Sequence, residues 1–166
     1  IDDRDDYGFL RHFVDAVAEG GCRTFVIHAR KAILSGLSPK ENREIPPLRY
    51  EFVHRIKEES PGLEIWVNGG IRSEAQVRRQ LGVVDGVMIG REAYHNPWLL
   101  AELEGSVLAG QPPPSRHAVL ERFADYAERQ HAAGVRLHQM TRHILGLFAG
   151  CPGARAWRRR LSVEGT

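Results

Sequence analysis

The 166 residues hold only two cysteines, Cys22 and Cys151, with no CxxC pair and no Cys/His cluster. A disulfide framework and a zinc site are therefore unsupported, no metal ligand is assigned, and a reducing cytoplasm is the expected compartment. No apolar run approaches the roughly eighteen residues that a membrane-spanning helix needs. The opening Ile1-Asp2-Asp3-Arg4-Asp5-Asp6 is acidic and lacks the apolar centre of a secretory signal. No lysine follows Lys57. The stretch from 112 to 166 carries nine arginines and four acids, whereas residues 1 to 111 carry 14 Lys and Arg against 17 Asp and Glu. Such asymmetry suggests a polyanion partner for the C-terminal part, and charge alone leaves a solvated helix face equally open.

What remains is the composition of a globular protein, 42% hydrophobic and 27% charged. The length allows one domain, or an incomplete domain with a smaller one attached. Periodicity predicts a helix over Tyr7 to Glu19 stopped by Gly20-Gly21, a buried strand over Thr24 to Ile27 ending at His28, and a long connection through Pro47. A helix from about Leu48 to Glu59, a turn at Pro61-Gly62 and a strand over Leu63 to Val67 follow. Ser73-Glu74-Ala75-Gln76 reads as a capping box opening a helix to about Leu81, and Val84 to Ile89 forms a third strand. Helix and strand alternate as in a parallel α/β fold. Residues 105 to 114, with three consecutive prolines, read as a linker. Beyond them Ser115 caps a helix to about Ala133, a second runs from Leu137 to Phe148 with Met140, Ile144, Leu145 and Phe148 inward, and a third spans Ala154 to Leu161.

Two strands finish in glycine-bearing turns one repeat apart, Asn68-Gly69-Gly70-Ile71 and Gly90-Arg91. In a parallel α/β barrel, main-chain N–H groups after the last strands converge on a phosphate, and glycine lets the backbone approach closely. Three strands cannot close a barrel, and as an open sheet they leave unpaired edges and an uncovered apolar face. The chain is thus expected to be the C-terminal portion of a larger protein, starting on the loop after a missing strand and stopping before a last helix.

Five segments carry a family resemblance: His28-Ala29-Arg30-Lys31; Gly36 through Leu48, reading GLSPKENREIPPL; Asn68-Gly69-Gly70-Ile71; Asp85 through Arg91; and Gly153 through Arg159. Together they closely resemble the A-type tRNA-dihydrouridine synthases. The resemblance implies the C-terminal part of an FMN-binding TIM (β/α)8 barrel over 1–104, a linker over 105–114 and a small helical tRNA-binding bundle over 115–166. It further implies reduction of D-loop uridine at tRNA positions 20 and 20a to 5,6-dihydrouridine, with NADPH reducing the flavin. Carried over residue by residue, Asn68, Gly69, Gly70, Gly90 and Arg91 hold the phosphate end of FMN and His28 contacts the flavin. Backbone donors suit phosphate oxygens, and the Arg91 guanidinium can add a bidentate charged pair. Lys40 and Arg43, with Arg155 and Arg158, match the family's tRNA contacts, and the last two share a helix face at their spacing. Trp157 lies on another face, as a core anchor.

The family's catalytic acid is a cysteine, and its motif is matched by neither Cys22 nor Cys151. No catalytic residue is therefore assigned in this chain, and the isolated chain is expected to be inactive. Two other readings stay open: a phosphate-binding barrel enzyme acting on a small metabolite, which would not need the arginine-rich appendage, and a non-catalytic RNA-binding fragment, which accords with the missing cysteine.

Overall fold

The computed structural model describes residues 6–108 and 110–163. The acidic start at 1–5, Ala109 of the expected linker and the last three residues lie outside the described residues. The chain divides into two compact units, residues 1–90 and 91–166.

In the first unit Asp6 caps helix α1, Tyr7–Glu19, its carboxylate accepting the Phe9 N–H at 2.7 Å. The helix stops at Gly20, and Gly21 takes a left-handed φ of 98° to turn the chain into strand β1, Thr24–His28. Helix α2, Pro39–Asn42, and helix α3, Tyr50–Glu59, precede strand β2, Glu64–Asn68. Helix α4, Glu74–Leu81, leads to strand β3, Gly86–Met88. The strands form one parallel sheet in the order β1-β2-β3.

Alternation along the strands decides what the helices cover. Phe25 and Ile27 of β1 and Ile65 and Val67 of β2 point to one face and join Val14 of α1 and Val53 and Ile56 of α3 in a single core. Ile56 and Ile65 are fully buried, so truncating either to alanine costs about 2–5 kcal/mol. The other face is different. Val26 is 52% exposed and Met88 47%, with the half-buried Trp66 between them. A Cβ at Gly86 would collide with the Trp66 ring, which is why β3 opens on glycine. Parallel sheets are ordinarily covered on both faces, whereas among the described residues this face stays open at Val26 and Met88.

A polar lock fixes the N-terminal edge of the sheet. The Asp85 carboxylate accepts the Ile65 N–H at 2.8 Å and pairs with Lys57 at 2.7 Å, while Lys57 also donates to the Leu63 carbonyl at 2.9 Å. The approach to β3 is thereby tied to β2 and α3.

Several boundaries depart from the periodicity reading. The third strand pairs only over Gly86–Met88, because the Asp85 side chain occupies the Ile65 N–H. The second is shifted by one residue, and α3 starts at Tyr50 because Arg30 and Leu48 form an antiparallel bridge. At α4 only half of the capping box forms. Ser73 accepts the Gln76 N–H, but Gln76 takes the N–H of Arg72 rather than returning to Ser73.

In the second unit come helices α5, Arg91–His95, and α6, Trp98–Ser106, then α7, Arg116–Ala132, capped by the Ser115 hydroxyl. Helix α8 covers Leu137–Thr141 and α9 covers Ala154–Val163. The helix expected to reach Phe148 ends at Thr141, and successive turns follow, closed by bonds such as Ile144 N–H to the Thr141 carbonyl at 3.1 Å. Within these turns Gly146 lies so near the His95 carbonyl that no side chain fits. Leu147 is buried there, whereas Leu145 is only half-buried. The Arg116 guanidinium stacks 4.4 Å above the Trp98 ring and donates to the Leu147 carbonyl, joining α6, α7 and the turns. Trp157 packs edge-on against Phe148 at 5.0 Å and donates from its indole to the Ile144 carbonyl at 3.2 Å, the anchor expected of it.

Candidate functional site

The sheet register builds the site. His28 lies beside Asn68, and Asn68 beside Met88. The turns that follow β2 and β3, Gly69-Gly70 and Ile89-Gly90, therefore leave the C-terminal edge of the sheet as neighbours, about 4.8 Å apart in the spacing of paired strands. Tandem turns in the sequence become adjacent turns in space.

Gly69 and Gly70 adopt φ values of 126° and 70°, where a side chain is strained. Space is tight as well, since a Cβ on Gly70 would come within 2.6 Å of Leu48 Cδ1 and the leucine side chain would have to shift. The floor beneath the turn is held by three main-chain links. The Ala29 N–H reaches the Asn68 carbonyl at 2.7 Å, the Arg49 N–H reaches the Ala29 carbonyl at 2.6 Å, and the Arg30–Leu48 bridge closes the loop between them. The Tyr50 hydroxyl, at the start of α3, donates to the Gly69 carbonyl at 2.5 Å. Burial pushes the Tyr50 pKa up, so the hydroxyl stays a donor.

Gly90 differs from its neighbours. A Cβ there would meet nothing within 4 Å, and its φ lies outside the left-handed region. Among the described residues nothing demands glycine at that position. A group approaching from outside does, if it comes as close as a phosphate oxygen comes to a main-chain N–H.

His28 ends β1 on the same edge and is exposed. Its Nδ1 accepts the Arg30 N–H at 3.1 Å, which places the proton of the neutral ring on Nε2. Beside it a cavity of about 210 Å³ is lined by Arg30, Lys31 and Arg49 among others. That is smaller than a usual cofactor pocket.

The loop between β1 and α3 is ordered by its own polar contacts. Arg30 donates to the carbonyls of Glu44, at 3.2 Å, and of Pro46. Asn42 accepts the Ile33 N–H and donates to the Ile33 carbonyl, both at 2.7 Å. Ser38 and Glu41 form a complete capping box around α2, and the Ser38 hydrogen bonds lower the Glu41 pKa. The result is a pinned one-turn helix with Lys40 and Arg43 exposed and three residues apart. Arg155 and Arg158 repeat that spacing, both exposed, on α9 of the second unit. Arg91 opens α5.

Cys22 precedes β1 and so lies toward the N-terminal edge of the sheet, where its thiol donates to the Thr24 carbonyl at 3.3 Å. Cys151 belongs to a turn between α8 and α9. Cys22 is therefore not at the glycine edge. Three of the other histidines make contacts within the fold: His54 pairs with Gln80 at 2.7 Å, His143 meets the Tyr94 ring, and His117 meets Phe148. Among the described residues no group of three His, Cys, Asp or Glu is placed to hold a metal.

Tyr50, Leu48, Arg30 and Asn42 shape the site and were not singled out by sequence reading. Three of them lie within the quoted motifs, so their presence was visible and their contacts were not. The fit to a phosphorylated cofactor rests on the two adjacent turns, the left-handed glycines and the open space at Gly90.

The edge is that of a parallel α/β sheet with two glycine-bearing turns side by side. A family model described as Dihydrouridine synthase (Dus) matches residues 1–164. A relative from Shewanella oneidensis named tRNA-dihydrouridine(20/20a) synthase is 54% identical over 164 residues, covering 98% of this chain and 49% of that protein. Proteins of the same name from Pseudomonas aeruginosa and Synechocystis are 53% and 51% identical, over 99% and 98% of the chain and 50% and 49% of their own lengths. The chain belongs to the dihydrouridine synthase family, whose members are oxidoreductases, and it spans about half the length of the curated relatives it matches.

Proposed function

We propose that the protein carrying this chain is a flavin-dependent tRNA-dihydrouridine synthase acting on D-loop uridines at positions 20 and 20a, in the cytoplasm. Residues 1–104 are assigned to the C-terminal part of an FMN-binding TIM barrel, 105–114 to a linker and 115–166 to a helical tRNA-binding bundle. The observation that carries the reading is the pair of glycine turns leaving adjacent strand ends, in a chain about half identical to synthases of that name.

In this reading Asn68, Gly69, Gly70 and Gly90 offer main-chain donors and close approach to the FMN phosphate, and Arg91 adds positive charge. His28, with its proton on Nε2, donates toward the flavin from the end of β1. FMN, once reduced by NADPH, supplies the hydride for the uracil ring. The open apolar sheet face carrying Val26 and Trp66 is assigned to the barrel interior, where further strands cover it. Lys40 and Arg43 on the pinned loop, with Arg155 and Arg158 on α9, hold the tRNA backbone through phosphate contacts that position the substrate without reading its sequence. Cys22 lies toward the opposite edge of the sheet and neither it nor Cys151 matches the family's cysteine motif, so the proton donor to the uracil carbon is assigned to a segment outside these 166 residues, and the chain by itself is inactive.

The test is the chromophore. Full-length protein purified from cells should be yellow and release FMN on denaturation. A colourless protein, or one releasing a flavin without a terminal phosphate, contradicts the assignment.

A further inference from the structure

We propose that Tyr50 is a positioning residue for the phosphate cradle, fixing the peptide between Gly69 and Gly70 so that the Gly70 N–H is directed at the phosphate; this deepens the reading above and rests on it. All described peptide bonds are trans, so the Gly69 carbonyl and the Gly70 N–H point in opposite directions from one rigid plane. Whatever grips the carbonyl aims the N–H.

The grip is the Tyr50 hydroxyl, 2.5 Å from the Gly69 carbonyl oxygen across nineteen residues of chain. It matters here because a Gly-Gly link is the least hindered of all to rotation of the peptide plane, and neither residue has a side chain to resist. Without the hydroxyl, the plane is free to turn and carry the N–H away from any ligand. Leu48 packs against both glycines from below but offers no directional bond.

Tyr50 is itself well held. Its ring lies parallel to that of His54 at a centroid distance of 6.4 Å, and the preceding residue is bonded through its N–H to the Ala29 carbonyl. The donor therefore sits on α3, a rigid element of the fold, rather than on a loop. Among the described residues no acceptor takes the Gly70 N–H, which leaves it available on the side opposite Tyr50. Tyr50 touches the cofactor nowhere in this account; it acts through one carbonyl.

The experiment compares two flavins that differ only in the phosphate. Flavin-free, full-length protein carrying this sequence is titrated with FMN and with riboflavin, following quenching of flavin fluorescence, in the wild type and in Tyr50→Phe. The phenylalanine keeps the ring and removes one oxygen. The wild type should favour FMN over riboflavin. In Tyr50→Phe, FMN affinity should fall by about three- to tenfold, the worth of one well-placed hydrogen bond, while riboflavin affinity stays within about twofold. Unchanged FMN affinity overturns the proposal. So does a parallel loss for both flavins, with or without a lower melting temperature, because Tyr50 is then a packing residue. A wild type that binds riboflavin as tightly as FMN shows instead that the glycine turns hold no phosphate, and the cradle reading falls together with the role of Tyr50.

Discussion

Replacing Gly90 by alanine separates a ligand's demand from the chain's own. At Gly70 the fold disfavours a side chain through φ and through the Leu48 contact, so any loss there mixes strain with function. At Gly90 a Cβ meets nothing within 4 Å and φ is not left-handed. Gly90→Ala should therefore leave flavin-free protein as stable as wild type, or more stable by about 0.4–1 kcal/mol through loss of disorder in the unfolded chain. A phosphate held close to the main chain would meet the new methyl at less than contact distance. Moving it outward by even half an ångström stretches the N–H to oxygen bonds, and losing one or two charge-assisted bonds costs about 1.5–3 kcal/mol. FMN affinity should then fall by about ten- to a hundredfold with no drop in melting temperature. The assays are flavin occupancy after purification, FMN titration of the stripped protein, and thermal unfolding without flavin. Full flavin occupancy in Gly90→Ala refutes the close-approach argument, and a large loss of stability shows that the glycine serves the fold.

Charge reversal of Arg155 and Arg158 together should weaken tRNA binding at least roughly tenfold and flatten its salt slope by about one to two units, with flavin content unchanged; unaltered affinity at two salt concentrations would make that face of α9 merely solvated. Asp85→Asn should destabilise the first unit by about 1–2 kcal/mol at neutral pH, a figure reduced for solvent screening at a one-third-exposed pair. The bond from the Ile65 N–H, then Lys57, lowers the Asp85 pKa in the folded state. Its stabilisation is therefore complete above the ordinary carboxylate pKa of about 3.9 and is lost as pH falls through the depressed value, so the wild type and mutant should converge in acid; a gap that stays constant contradicts the lock. Trp157→Ala should destabilise the second unit by about 2–4 kcal/mol, because ring packing against Phe148 and the indole bond to Ile144 are lost together, and a denaturant midpoint within error of wild type would show the anchor to be idle.

The alternation of helix and strand was legible because α1, β1, α3 and β2 carry strict period and are bounded by Gly20-Gly21 and Pro61-Gly62. Ser73 and Ser115 announced the starts of α4 and α7 correctly. Other elements failed for identifiable reasons. Helix α2 is a single turn inside a loop too short for periodicity to show, although Ser38-Pro39 with Glu41 is a capping signature in its own right. The overrun past Thr141 came from the helical spacing of Met140, Ile144 and Phe148, whereas the close contact of Gly146 with the His95 carbonyl is invisible until the chain is folded.

The candidate site was legible at the same level. The two glycine turns could be read directly, but their adjacency depends on the parallel register of β2 and β3, and the hydroxyl of Tyr50 reaches Gly69 across a separation that no local motif encodes. Charge identified Arg155 and Arg158 only with the help of the family resemblance, since Arg159 and Arg160 beside them are equally exposed.

The most direct test of the central claim is product formation on tRNA. Full-length protein carrying this sequence should be incubated with NADPH and unmodified tRNA, and the D-loop fragments mapped by mass spectrometry for the gain of two hydrogens. The account predicts dihydrouridine at positions 20 and 20a, and none when the 166-residue chain replaces the full-length protein. Reduction at other uridines alone, or none by a flavin-loaded full-length protein, would contradict it.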